Sequence, residues 1–258
     1  MTHSGRPTKL IIVCCHGIWQ GGQSHGADES EWLIADFQRG ETATFAEHAQ
    51  AGIRYLAEDS EDSVLVFSGG PTRRETHLSE AESYYNLSLA NNHWNHFRNS
   101  SPPVLGENII LEKRALDSYH NILYSLTLFW STVGAWPTRL TIITHWFKKP
   151  RVIDGHCGAI AFPLGRASYI GIDPPCMAPG GDKHDEMMAG GVALAVGEWE
   201  ADPHGRGDSL RAKRKKRNPW GVWQGVFEEG VEGRKSGLAT VGTGEEEQID
   251  VDAPRPWN

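Results

Sequence analysis

The chain has no Cys-x-x-Cys pair among its four cysteines, no apolar run of membrane-spanning length and no excess of basic charge. Each absence excludes something. Cys14, Cys15, Cys157 and Cys176 are not spaced for a zinc knuckle, so no metal site is read from the sequence. The most apolar stretch, near Leu126–Trp136, is broken by Ser, Thr and Gly, which argues against a membrane partner. A net charge of −8 argues against a nucleic-acid binder, although local charge still decides whether a small anion is held. No Gly-x-Gly-x-x-Gly follows the first apolar run, which counts against an ordinary dinucleotide fingerprint. The polar N-terminus lacks a signal-peptide apolar region, so a cytoplasmic protein with reduced thiols is expected.

What is present is a regular alternation of strand-like and helix-like segments. Lys9–Cys15 is a short apolar run that reads as a buried strand. Ala43–Glu58 places Phe45, Ala49, Ile53 and Leu56 on one helical face. Ser63–Phe67 is a second strand, Ser79–Asn91 a helix and Asn108–Leu111 a third strand. Ser118–Val133 is a strongly amphipathic helix. Leu140–Thr144 is a fourth strand, a helix follows from about Arg151 to Phe162, and Ala167–Ile172 is a fifth strand. Repeated β-α-β units of this length predict an α/β protein, a Rossmann-like three-layer sandwich around a mainly parallel sheet of about five strands. The predicted α/β domain spans residues 1–175. Residues 176–235 form an extension expected to pack on it, and 236–258 form an acidic tail expected to be disordered or loosely docked. The connection Asn92–Glu107 is long, as a surface insertion or a lid would be.

In an open parallel sheet, ligands bind outside the carboxyl ends of the strands. That rule gathers five segments. His16-Gly17 and Gly21-Gly22 follow the first strand, where glycines let backbone N–H groups approach an anion. Ser68-Gly69-Gly70 follows the second. Ser79-Glu80-Ala81-Glu82 fits a capping box that accounts for Glu82 and leaves Glu80 free as an acid or base. Asp117, Ser118 and Asn121 open the amphipathic helix, where Asp117 either caps it or faces a ligand. His145, Lys148 and Arg151 follow the fourth strand, with the two cations placed to bind phosphate or carboxylate. Gly22-Gln23-Ser24-His25-Gly26 spells a nucleophile elbow, but Ser24 is not between a strand and a helix, so it is set aside.

In order and spacing these motifs resemble the domain of unknown function 218 (DUF218) family, the YdcF/SanA/ElyC-like proteins. The matching stretches are Phe67-Ser68-Gly69-Gly70, Ser79-Glu80-Ala81, Glu112 with Ser118 and Asn121, and Thr144 with Arg151. The chain looks most like a soluble fungal branch, and the resemblance covers about residues 9–175. Two positions depart from the family pattern: His120 stands where an acid usually precedes the Asn, and Lys148 where a His usually stands. The resemblance implies a Rossmann-like fold with a crevice site but no general reaction.

The expectation is therefore an enzyme acting on a phosphate-bearing or nucleotide-like small molecule, probed by Glu80 as acid or base with His16 and His145 assisting. The alternatives are a non-catalytic binder of a nucleotide-like ligand such as S-adenosylmethionine, and a scaffold using the Trp-rich C-terminal region. No cofactor is assigned. The basic run 211–217 reads either as a solvated face or as a nuclear localisation signal.

Overall fold

The computed structural model describes residues 5–97, 108–177 and 192–258. Its strands in chain order are β1 (Lys9–Cys14), β2 (Ile18–Trp19), β3 (Trp32–Leu33), β4 (Ser63–Ser68), β5 (Ile109–Glu112), β6 (Arg139–Thr144) and β7 (Ala167–Gly171). Five of them form one sheet in the order β5-β4-β1-β6-β7, and every pairing is parallel. The α/β sandwich read from the sequence is the fold. β2 and β3 pair separately as a small antiparallel ribbon beyond the end of β1.

The two faces of β1 explain the layers. Side chains alternate along a strand, so Leu10, Ile12 and Cys14 enter one core, and Ile11, Val13 and the following Cys15 enter the other. The second core is closed by helix α1 (Thr42–Glu58) through Phe45, Ala49, Ile53 and Leu56, and by α2 (Glu80–Ala90) through Tyr84 and Leu87. The first is closed by α3 (Ser118–Val133) through Ile122, Leu126 and Phe129, and by Val152, Cys157 and Ile160. Asp117 caps α3 by accepting the His120 N–H, and Gly134, in the left-handed region at φ 74°, ends it.

The helix expected from Arg151 is different in kind. Pro150–Cys157 is a π-helix, followed by an α-helical turn at Gly158–Ile160. Its wider turn sets residues five apart on one side, which is the spacing of Arg151 and His156.

Beyond residue 175 the chain returns to the first core. Helices α4 (Val192–Ala201) and α5 (Asp208–Lys216) contribute Trp199 and Leu210, and the following segment adds Val226 and Phe227. The acidic tail departs from the expectation of disorder. It forms a small hairpin, β8 (Thr240–Val241) with β9 (Gln248–Ile249), and buries Leu238, Ile249 and Trp257. Trp257 packs edge-on to Trp136 at 4.9 Å and donates its indole N–H to the Ala161 carbonyl at 3.1 Å. Apolar side chains at sparse intervals, invisible as a periodic pattern, hold the tail down. Much of the Asn92–Glu107 connection and the first half of the helix expected near Asp185–Glu200 lie outside the described residues.

Candidate functional site

The sheet order reverses at β1. The chain runs outward from β1 to β4 and β5, then returns to place β6 on the other side. Loops leaving β1 and β6 therefore diverge, and a crevice opens between them. It has a volume of about 820 Å³, within the range of roughly 300–1,000 Å³ usual for small-molecule sites. His16, Glu80, Asp117, Ser118, Asn121, His145, Lys148 and Arg151 all line it.

The glycine segments play another part. Gly69 and Gly70 do not turn their N–H groups toward a ligand: these donate to the Glu112 and Ala115 carbonyls at 3.0 and 2.7 Å. Their own carbonyls accept the Ala81 and Glu80 N–H groups at 3.0 and 3.1 Å, so the turn is stitched to the start of α2. A Cβ on Gly69 would stand 2.7 Å from Glu80 Oε2. Glycine is required there because the Glu80 carboxylate lies over the backbone. Ser68 is fully buried, and its hydroxyl oxygen lies 2.7 Å from Glu112 Oε2 and 3.0 Å from Asn121 Oδ1. These three residues do not line the crevice, and their hydrogen bonds brace the segments that do.

Gly17, Gly21 and Gly22 are likewise off the crevice wall. Gly17 is buried, and a Cβ there would meet Ile34 at 3.0 Å. The anion that the following loop holds is the protein's own: Glu31 accepts from Trp19 Nε1, the Ser24 N–H and the Gly26 N–H at 2.9, 2.7 and 2.8 Å. Those bonds pull its carboxyl down to about 2, Trp19 contributing most. The loop is thus satisfied internally, and Ser24 is spent as a turn residue that accepts the Asp28 N–H.

Glu80 is half-buried, and its carboxylate accepts the Thr72 hydroxyl at 2.7 Å. Burial raises its pKa, opposed by the Thr72 bond and by Arg217 and Arg73. A carboxyl so raised is suited to carry a proton. Asp117 is pushed up by burial but held far below the usual range by His120 and Arg214, which stand 2.9 and 3.1 Å away. It stays ionised. Two crevice carboxylates thus have their pKa values driven in opposite directions.

Lys148 sits at the end of a 3-10 turn, Trp146–Lys148, and burial together with Arg151 brings its pKa down to about 7. Arg151, one turn further on, buries its Nε without a hydrogen-bond partner. Among the described residues, no carboxylate lies within ion-pair distance of either cation. The run 211–217 adds to them. It falls on α5 and its C-cap, and Lys213, Arg214 and Arg217 line the same crevice. Arg214 pairs with Asp117, and Arg217 donates to the Leu116 carbonyl at 3.1 Å. The run is a solvated face, with every residue but Arg214 exposed, and it borders the crevice as well. A second cavity of about 560 Å³ lies on the outer side of α3, but Glu245, Glu246 and Glu247 balance its arginines.

Three site residues escaped sequence reasoning. His156 is buried on the π-helix and its Nε2 lies 2.8 Å from the Ser118 hydroxyl. His48, on α1, is fully buried beside His16 and His145. Glu41, at the start of α1, lies 3.5 Å from His145 Nε2. A signal did exist for the histidines. His48 interrupts the stripe Phe45, Ala49, Ile53, and His156 lies four residues from both Val152 and Ile160. Each is a polar residue where an apolar one would fill the core.

No family model and no solved structure matches the chain. An uncharacterised protein of the yeast Saccharomyces cerevisiae is similar, with 29% identity over 255 residues, covering 82% of this chain and 84% of the yeast protein. No helix among the described residues is long and apolar enough to cross a membrane.

Proposed function

We propose that the protein is an enzyme acting on a phosphate-bearing or nucleotide-like small molecule bound in the crevice at the strand ends. The observation that carries this reading is the pair Lys148 and Arg151, cations turned into the crevice with no carboxylate partner among the described residues. Both side chains are half-buried, the Lys148 ammonium lies 3.4 Å from His16 Nδ1, and an anionic ligand supplies the counter-charge they lack. The resemblance to the DUF218 family supports the same crevice, since its motifs supply Glu80, Ser118 and Asn121.

In this reading Lys148 and Arg151 hold the anionic group, with Arg217 and Lys213 at the mouth. Glu80, its carboxyl raised and anchored by Thr72, transfers a proton to or from the reacting oxygen. Asp117 stays charged and fixes Arg214. Ser118 and Asn121 orient the rest of the ligand.

The test is a panel of phosphomonoesters, phosphodiesters and nucleotides, scored by phosphate release and by mass of the products. We expect turnover of at least one class, with Glu80→Gln lowering kcat by about 100-fold or more, the usual share of a general acid or base. A Glu80→Gln enzyme at full rate removes Glu80 from the chemistry. No turnover and no binding across the panel removes the function.

A further inference from the structure

Three histidines from distant parts of the chain meet at the inner end of the crevice. His16 leaves β1, His145 leaves β6, and His48 reaches across from the middle of α1. Their ring centroids are 4.6 Å (His16–His145), 4.9 Å (His48–His145) and 5.6 Å (His16–His48) apart. One ring nitrogen from each lies within 4.8 Å of the others.

The hydrogen bonding around them is incomplete in a directed way. His48 is fully buried. Its Nε2 lies 2.9 Å from the Ile172 carbonyl, which can only accept, so Nε2 carries the hydrogen and Nδ1 carries a free lone pair. That Nδ1 is buried with no partner among the described residues. His145 is 2% exposed, and neither of its ring nitrogens makes a hydrogen bond with a described residue. Its Nε2 does stand 3.5 Å from Glu41 Oε2, too poorly aligned to count as one. Buried ring nitrogens left unpaired cost free energy that a packed apolar side chain would not. His16 has a neighbour at each nitrogen, the Thr144 hydroxyl 2.9 Å from Nε2 and the Lys148 ammonium 3.4 Å from Nδ1, so binding an ion displaces one of them.

We propose that His16, His48 and His145 form a binding site for one divalent first-row transition-metal ion of the zinc type, with Glu41 beside it. Three imidazoles and a carboxylate are a donor set such ions take, whereas calcium and magnesium prefer oxygen alone. The Ile172 carbonyl on His48 is the outer partner that fixes a ligand's tautomer. Burial and the nearby Lys148 hold all three imidazoles in the neutral form, which is the form that coordinates. Tetrahedral ligands at about 2.0–2.1 Å stand roughly 3.4 Å from each other, so loading draws the rings inward by about 1 Å. His16 and His145 then serve as ligands, and proton transfer falls to Glu80 alone. The site stands on the ring geometry and does not depend on the proposed substrate.

The experiment is a titration of chelator-treated, full-length protein with zinc by calorimetry and with cobalt(II) by visible absorption. We expect one equivalent bound, cobalt d–d bands of a nitrogen-rich site, and affinity lowered at least tenfold in His48→Ala and in His145→Ala. Uptake well below one equivalent overturns the proposal, as does affinity unchanged in both variants. Should the variants not fold, X-ray absorption of the zinc-loaded wild type decides. Three or more imidazole nitrogens at about 2.0 Å support the site, and fewer overturn it. None of these readouts uses turnover or an anion, so failure of the phosphate reading leaves them untouched.

Discussion

Lys148 combines two properties that rarely coincide in a lysine. Its stem is enclosed at the crevice, and its ammonium lies 3.4 Å from His16 Nδ1 with no carboxylate of the described structure to balance it. Burial and Arg151 lower its pKa to about 7, so at pH 6 it is charged and still lacks a counter-ion. Sulfate, whose own charge does not change near neutrality, is the right probe. At pH 6, Lys148→Met should weaken sulfate binding about tenfold or more, since a charge-assisted hydrogen bond contributes roughly 1.5–3 kcal/mol. Calorimetry or a sulfate-dependent shift in Tm reads this. Equal sulfate affinity in the two proteins would show that the ammonium does not meet the anion. Glu80 is the other residue whose surroundings point to work. Ordinary capping accounts for Glu82, which accepts the Ser79 N–H at 3.1 Å while Ser79 accepts the Glu82 N–H at 3.0 Å. Glu80 has no such structural duty toward its own helix, and the glycine beneath it makes room for its carboxylate.

At the scale of elements, the loop after β1 carries its own anion. Its Ser24 and Gly26 N–H groups donate to Glu31, which arrives from the β3 end of the same loop. Because the folded-state pKa of about 2 lies below the ordinary value of 4.5, the loop gains stability from this carboxylate above pH 4.5. That stability is lost as the pH falls through 4.5 toward 2. Hydrogen exchange at the Ser24 and Gly26 amides, taken relative to intrinsic rates, should show protection at pH 5 that declines by pH 3. Glu31→Ala should lack the protection at both. Protection in the wild type that does not change with pH would mean that charge is not what orders the loop. The π-helix is a second case. Period counting predicts a helix from Arg151, and a helix is there, but one wider turn brings His156 under Ser118 while Arg151 remains in the crevice.

The whole molecule is larger than its α/β domain. α5 lays Lys213, Arg214 and Arg217 over the crevice, and the tail seals the far end of the same core. Trp257 is 4% exposed, contacts Trp136 and Phe162, and anchors the tail beside Arg255, whose Nε donates to the Ile160 carbonyl at 3.0 Å. Replacing a buried tryptophan by alanine costs about 3–5 kcal/mol. Trp257→Ala should therefore unfold at clearly lower urea concentration, with a Tm lower by several degrees. A variant as stable as the wild type would show that the tail is a passenger on the fold. The yeast protein is similar over 82% of this chain, more than residues 1–175 make up, so the likeness extends past residue 175.

Local pattern along the chain is enough to place the strands and helices. Lys9–Cys15, Ser63–Phe67, Leu140–Thr144 and the Ser118–Val133 stripe are local patterns, and local patterns suffice when apolar periodicity matches the element. The sequence also located the crevice, because strand ends in a parallel sheet must share an edge. It did not determine which groups face that crevice. Gly69 and Gly70 are occupied by backbone bonds to residues ten or more positions away, and Ser68 by Glu112 and Asn121. His48 meets His16 and His145 only after α1 has packed across β1 and β6, and Arg217 reaches the site only because the extension folds back. These are contacts between segments with no shared period, so only the tertiary structure decided them.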